Sequence, residues 1–298
     1  MILVTGAAGQ AGSRVIREFS RQGVPVRALV RSRARARALE GVSGVEVIDA
    51  DLLQAETLGR ALDGVERALL ISSADERLVE TQCAFIDAAQ RFGLAHIVKW
   101  SGKEANVGFD ATRFRFVRMH EEIERYLERS SLAWTVLQPS QFMQVYLREA
   151  RSIAGEGELR LAMEGVRMSP VDLDDVAKVA CTLMRRDDVD GKTYQMTGPE
   201  ALSMADVAKR ISEAIGKPVR YVNISPEERR QAVLAAGALP YFADALDEQG
   251  AERRRCPESR VYLETHKTFG VRPTPFAEFA RRHAAILRGE SAGAPPFR

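Results

Sequence analysis

An α/β protein with a doubly wound parallel sheet and a smaller C-terminal α/β lobe is the fold class predicted here, on three observations. Short apolar strands and amphipathic helices alternate from the first residue to about residue 150, a pattern that leads to parallel strands joined by right-handed crossovers. Gly6, Gly9 and Gly12 stand in the spacing G-x-x-G-x-x-G between the first strand and the first helix. After residue 150 the alternation loosens at Gly155, Gly157 and Gly165 and returns as a mixture of strands and helices.

The first strand is Ile2 to Val4, ended by Thr5. Gly6 permits the tight turn off the strand, Gly9 lets the backbone approach a pyrophosphate without a Cβ in the way, and Gly12 lets the next helix pack close. Backbone N–H groups around Ala8, Gln10 and Ala11, and the positive end of the helix carrying Val15, Ile16 and Phe19, then face an anion. A three-glycine run alone also describes a plain turn. Its place directly between an apolar strand and an amphipathic run makes it the phosphate loop of a Rossmann-type dinucleotide site.

The second strand, Val24 to Val30, is opened by Pro25 and ends at Arg31, the first of the series Arg31, Arg33, Arg35 and Arg37. An acidic residue at this tip would bind the ribose 2′-OH of NAD, whereas arginine accommodates the 2′-phosphate of NADP. Arg31 therefore favours NADP(H), with NAD(H) the alternative; Arg35 and Arg37 read as the solvated face of a helix. Val45 to Ile48 is the third strand, followed by Asp51, Leu52 and a helix over Gln54 to Leu62. Asp51 is placed either to meet the adenine amino group or to cap that helix. The fourth strand, Arg67 to Ile71, ends in Ser72 and Ser73; a helix follows over Arg77 to Phe92. The fifth strand, His96 to Trp100, ends in Ser101, Gly102 and Lys103. Ligands of such sheets sit at the carboxyl ends of the strands, which gathers Gly6, Arg31, Ile71, Ser72 and Ser101 at one edge.

A helix over about Arg113 to Arg129 carries His120, and the sixth strand, Ala133 to Leu137, is interrupted by Pro139. Asp172, Asp174 and Asp175 open the helix Val176 to Met184, where first-turn carboxylates serve as caps and dipole partners, so no metal is predicted. Thr193 to Thr197 reads as a strand and Met204 to Ile215 as a helix. Val219 to Ile224 precedes Ser225-Pro226-Glu227-Glu228, a capping box with proline at the first helical position. Leu239 to Leu246 and Phe276 to Leu287 read as helical. The expected organisation is a dinucleotide-binding domain over 1–150 and a smaller substrate lobe over 151–298, with about 170–197 packing back on the first sheet.

At 298 residues and 45% hydrophobic the chain can bury a large core, and its formal net charge of +2 gives no electrostatic case for nucleic acid or an anionic membrane. Cys83, Cys181 and Cys256 are widely spaced, without C-x-x-C or a His/Cys cluster, which supports neither a disulfide framework nor a zinc site. No apolar run approaches the length of about 18 residues that spans a bilayer, and a strand stands where a signal peptide would have its basic segment. A cytoplasmic protein, monomer or homodimer, is expected.

With the glycine loop, Arg31, the strand-end Ser72-Ser73 and Ser101 in place, the chain resembles the NmrA-like branch of the atypical short-chain dehydrogenases, and within it the bacterial NADPH-dependent quinone reductases. Ala68 to Ser73, Gln141 to Tyr146, Gly191-Lys192-Thr193-Tyr194 and Val219-Arg220-Tyr221 leading into Ser225 carry the likeness over nearly the whole length. The chain departs from ordinary short-chain dehydrogenases in lacking a tyrosine followed four residues later by lysine: Tyr126 precedes Ser130, Tyr146 precedes Ala150 and Tyr262 precedes His266. Counted back from Trp134-Thr135, the place of the catalytic lysine in the related ether and lignan reductases holds His120, and the resembling quinone reductases also have histidine there. Imidazole, with an ordinary pKa of about 6.5, can hydrogen-bond or protonate a developing oxyanion near neutral pH.

The resemblance implies an NAD(P)H-dependent oxidoreductase that passes hydride to a quinone or conjugated aromatic ketone. The nicotinamide would lie near Ser101 and Pro139, His120 and Ser101 would polarise the acceptor oxygen, and Phe109, Phe114, Phe142, Met143 and Tyr146 would wall the pocket. Two rivals stand beside this reading, the first from regulators of the same branch. One is a non-catalytic NADP-sensing regulator, favoured by the missing Tyr-Lys pair. The other is a tailoring enzyme of aromatic polyketides in which the reduced quinone reacts with oxygen; arginine outnumbers lysine 36 to 7, as in proteins of GC-rich genomes.

Overall fold

The structure, a computed structural model, describes residues 1–291 apart from Asn106 and the side chain of Arg35. Its first half runs β1 (Ile2–Val4), α1 (Gln10–Arg21), β2 (Val26–Val30), β3 (Val45–Asp49), α2 (Ala55–Leu62), β4 (Arg67–Leu70), α3 (Leu78–Arg91), β5 (His96–Trp100), α4 (Arg115–Glu128) and β6 (Ala133–Pro139). There follow α5 (Ala150–Glu156), β7 (Glu158–Leu161), β8 (Arg167–Met168), α6 (Leu173–Leu183), β9 (Lys192–Met196), β10 (Leu202–Ser203) and α7 (Met204–Ile215). The last elements are β11 (Arg220–Asn223), α8 (Pro226–Ala235), α9 (Pro240–Arg255), α10 (Glu264–Thr268), α11 (Phe276–Arg282) and α12 (Ala284–Leu287).

Three elements differ from the sequence expectation. Two 3-10 turns, Arg33–Arg35 and Arg37–Leu39, replace a helix after β2; Ala36 between them and Leu39 are buried. The segment Phe276 to Leu287 breaks into two helices at His283. Helix α9 outruns its apolar stretch, because its polar second half is held by ion pairs, Glu248 with Arg115 and Arg253 with Glu104, beyond Asp244 and Asp247 bound to Arg230.

The large sheet has the order β3-β2-β1-β4-β5-β6-β9. Its pairings from β3 to β6 are parallel, and Gly191 N–H to Trp134 O and Ser140 N–H to Met196 O, both 2.8 Å, advance together along β6 and β9, so that pairing is parallel too. The order reverses between β1 and β4, which makes that place the topological switch point.

Two compact units make up the chain. The first holds 1–102, 118–138 and 173–194; the second holds 103–117, 139–172 and 195 onward. The units do not divide at residue 150: the connection after β5 and the segment after β6 already belong to the second unit, while α6 and most of β9 belong to the first, within the 170–197 stretch expected to pack back on its sheet. In the first unit the inner strands β1, β2, β4 and β5 are largely buried while the edge strand β3 is not, and α1 turns Val15, Ile16 and Phe19 inward with α6 packed alongside. Each such apolar side chain contributes about 1.5–3 kcal/mol by leaving water. The second unit packs its own core from Met143, Tyr146, Met168, Val207, Ile211, Phe276 and Phe279, among others.

The tightest backbone approach in the first unit lies under the start of α1. A Cβ at Gly12 would overlap the Gly6 carbonyl oxygen and stand 2.8 Å from Ala7 Cα, both backbone. Gly12→Ala is expected to lower stability by about 1–3 kcal/mol, as overpacking does; urea unfolding monitored by circular dichroism checks this, and an unchanged midpoint would refute it.

Candidate active site

The glycine loop is fastened at both ends. Thr5 Oγ1 donates to Ile71 O at 2.6 Å and accepts from Ile71 N–H at 2.8 Å, tying the end of β1 to the end of β4. Gly6 has φ +58°, and Gly9 N–H closes the turn on Gly6 O at 2.9 Å. A Cβ at Gly6 would lie 2.8 Å from Ile71 O, so only glycine fits. Gly9 is exposed, and α1 begins there with no side-chain cap and no acidic residue in its first turn. The first N–H groups of α1, at Gln10, Ala11 and Gly12, thus point from a helix end with no side-chain cap and no carboxylate in its own first turn. This cradle fits the pyrophosphate of a dinucleotide.

Around it stand the other strand ends of the first unit. Arg31, exposed past β2, reaches Ser73 Oγ with Nη2 at 3.5 Å. Arg33 is engaged elsewhere, by Val47 O at 2.8 Å and Asp49 at 3.3 Å. Asp51 accepts from Leu53 N–H at 3.0 Å in a local turn, and α2 starts later with Gln54 at its N-cap, so Asp51 does not cap that helix. Leu52 is buried beside it, and Ser72 Oγ accepts from Gln82 Nε2 at 2.9 Å.

The end of β5 carries a second polar constellation, and it is enclosed. Lys99 is fully buried and Ser101 nearly so. Two residues apart on a strand, they share one side of the sheet. Facing them on α4 are His120 and Glu124, four residues apart and so on one helix face. Lys99 Nζ lies 2.8 Å from His120 Nδ1, and Ser101 Oγ donates to Glu124 Oε1 at 2.6 Å. His120 is 7% exposed, and its Nε2 edge fills the place that a Cβ on Gly102 would need. The Ser101 hydroxyl proton is directed at Glu124, which corrects the expectation that Ser101 shares with His120 the work of donating to a ligand.

The remaining residues divide plainly. Pro139 ends β6, buried, in the second unit. Tyr146 and Met143 are each 1% exposed in that unit's core, with the Tyr146 ring edge-on to Phe276 at 5.3 Å and burial pushing its phenol pKa up. Phe114 is buried between Phe109 and Phe116. These three are packing residues, which corrects their reading as pocket wall; Phe109 and Phe142 keep part of their surface exposed. Phe109 also lies under the guanidinium of buried Arg253, 4.8 Å from the ring centre. The three aspartates at α6 are held by side chains: Asp172 by Gln144 and Arg282, Asp174 by Arg14, Asp175 by Lys178. His96 is bound to Thr135 Oγ1 at 2.9 Å, with its pKa lowered by burial and then by Arg67; His266 bonds the carbonyls of Thr197 and Val271. Both have structural roles.

The model of the NmrA-like family matches residues 1–280. The chain belongs to the NmrA-like family. It is 35% identical over 287 residues to NAD(P)H azoreductase of Xenophilus azovorans, covering 96% of this chain and 99% of the relative. It is 30% identical over 251 residues to quinone oxidoreductase 2 of Escherichia coli, covering 83% and 85%. The structure of the NADPH-dependent quinone oxidoreductase QOR2 of Escherichia coli, complexed with NADPH, matches with a TM-score of 0.82 at 27% identity, covering 95% of this chain and 99% of that one. Among the described residues of this NmrA-like chain, no helix is long and apolar enough to cross a membrane.

Lys99 and Glu124 escaped the sequence reading. The available signal was a lysine inside the otherwise apolar strand Ile97-Val98-Lys99-Trp100. Because the nearest atoms to a Cβ at Gly102 belong to the His120 ring and not to backbone, Gly102→Ala is expected to fold and to bind NADPH normally while turning the imidazole aside. Turnover should fall about tenfold or more, since a displacement of about 1 Å is costly in a positioned site. Steady-state kinetics beside a thermal melt checks this, and full turnover would contradict it.

Proposed function

We propose that this NAD(P)H-dependent oxidoreductase passes hydride to a quinone or conjugated aromatic ketone whose oxygen is polarised by His120. The observation that carries the reading is the enclosed imidazole at the carboxyl end of β5, with its Nε2 edge turned to exposed Gly102 on the side of the sheet edge where the glycine loop lies. The names of the relatives, an azoreductase and a quinone oxidoreductase, support an aromatic acceptor. Bound NADPH supplies the hydride.

The chain's own residues do the rest. Gly6, Gly9 and the N-terminus of α1 hold the pyrophosphate, and Arg31 with Ser73 takes the 2′-phosphate. The N–H of His120 meets negative charge as it grows on the acceptor oxygen, an interaction stronger in the transition state than before it. Ser101 and Glu124 keep α4 seated so that the ring stays aimed. A quinone suits so sparse a set, because its reduction yields a stabilised phenolate and demands little proton transfer.

Two outcomes follow. Arg31→Ala should weaken NADPH about tenfold and NADH hardly at all, through loss of charge-assisted hydrogen bonds to the 2′-phosphate. Equal weakening of both in calorimetry would take Arg31 out of cofactor choice. His120→Ala should lower kcat and kcat/KM together by about 10²-fold with NADPH affinity unchanged. Quinone turnover by His120→Ala at the unmodified rate from about pH 5 to 8 would end the catalytic role of the imidazole.

A further inference from the structure

Lys99 is fully enclosed on β5, a position where an ammonium persists only with partners. Its Nζ lies 2.8 Å from His120 Nδ1 and 3.5 Å from Trp100 O. An ammonium has donors and no acceptor, so the ring nitrogen that faces it is the bare one and the ring proton sits on Nε2, at the Gly102 edge. We propose that Lys99 is a positioning residue for the reaction, fixing His120 as a neutral imidazole that presents an Nε2–H donor.

This inference rests on His120 being the group that polarises the acceptor. A second ring proton, on Nδ1 as well as Nε2, would place two cations in contact, so the pair carries one positive charge between them. An amine is the more basic of the two groups, which assigns that charge to Lys99. Among the described ionisable groups, helix α4 brings Glu124, bound to Ser101, β5 brings Lys99 itself, and α3 brings Cys83, on which Lys99 acts. Burial, then Glu122 and Asp87, push the Cys83 thiol up to about 11, with Lys99 acting in the opposite direction, so Cys83 adds no charge near neutrality. His120 therefore acts as a hydrogen-bond donor rather than as an acid that surrenders a proton, and turnover has no histidine step near neutral pH.

The test uses the full-length protein with 15N-labelled histidine, as wild type, Lys99→Gln and Lys99→Met, with His120→Ala identifying the His120 signals. In the wild type the His120 signals should show a protonated Nε2 and a bare Nδ1, without titration between about pH 5.5 and 8. Lys99→Gln, whose amide still donates, should keep the tautomer but begin to titrate within that range; Lys99→Met should lose both, and in each variant kcat should bend where the ring titrates. Unchanged His120 signals in a Lys99→Met protein that folds and binds NADPH would overturn the proposal. If Lys99→Met does not fold, unchanged titration in Lys99→Gln overturns it equally. Signals that move while the kcat profile stays flat would leave Lys99 setting the ring proton and remove the catalytic reading of His120.

Discussion

The close passage of the chain after β1 beneath α1 and beside β4 is the constraint on which the ligand-binding edge depends. Three backbones meet there within van der Waals distance, which only glycine at 6 and 12 allows, and Thr5 bolts the meeting point to Ile71 in both directions. Because α1 cannot move away without breaking that contact, its uncapped N-terminus is held at the switch point of the sheet. The anion site follows from packing, before any ligand arrives.

At β5 a second geometric match operates. Two residues along a strand advance about 6.6 Å and four along a helix about 6 Å, so two side chains of β5 can meet two of α4 in register. Lys99 with His120 and Ser101 with Glu124 are those two contacts. Polar groups this enclosed are costly unless bonded, which penalises any slip of α4 along the strand. The same pairing that seats the helix aims the imidazole, so positioning and chemistry share one set of bonds.

The strands and the glycine loop were legible in the sequence because local pattern decides them: apolar runs bounded by glycine, serine or charged residues leave little choice. The interleaving of the two units was not legible, since nothing local in 103–117 or 139–172 marks a chain that leaves one unit and returns. His120 was found by its distance from the sixth strand, whereas Lys99 depends on the register of a helix against a strand, which only tertiary structure fixes. Phe114, Met143 and Tyr146 show the opposite limit: the residue types that wall an aromatic pocket also fill cores, and here the core took them.

Anaerobic turnover of NADPH against a panel of benzoquinones, naphthoquinones and aromatic ketones, with the reduced product quantified, is the most direct measurement of function. One molecule of hydroquinone or reduced ketone per NADPH oxidised is the predicted result. Tight NADPH binding with no oxidation by any member of the panel would contradict it, and would place the chain among nucleotide sensors.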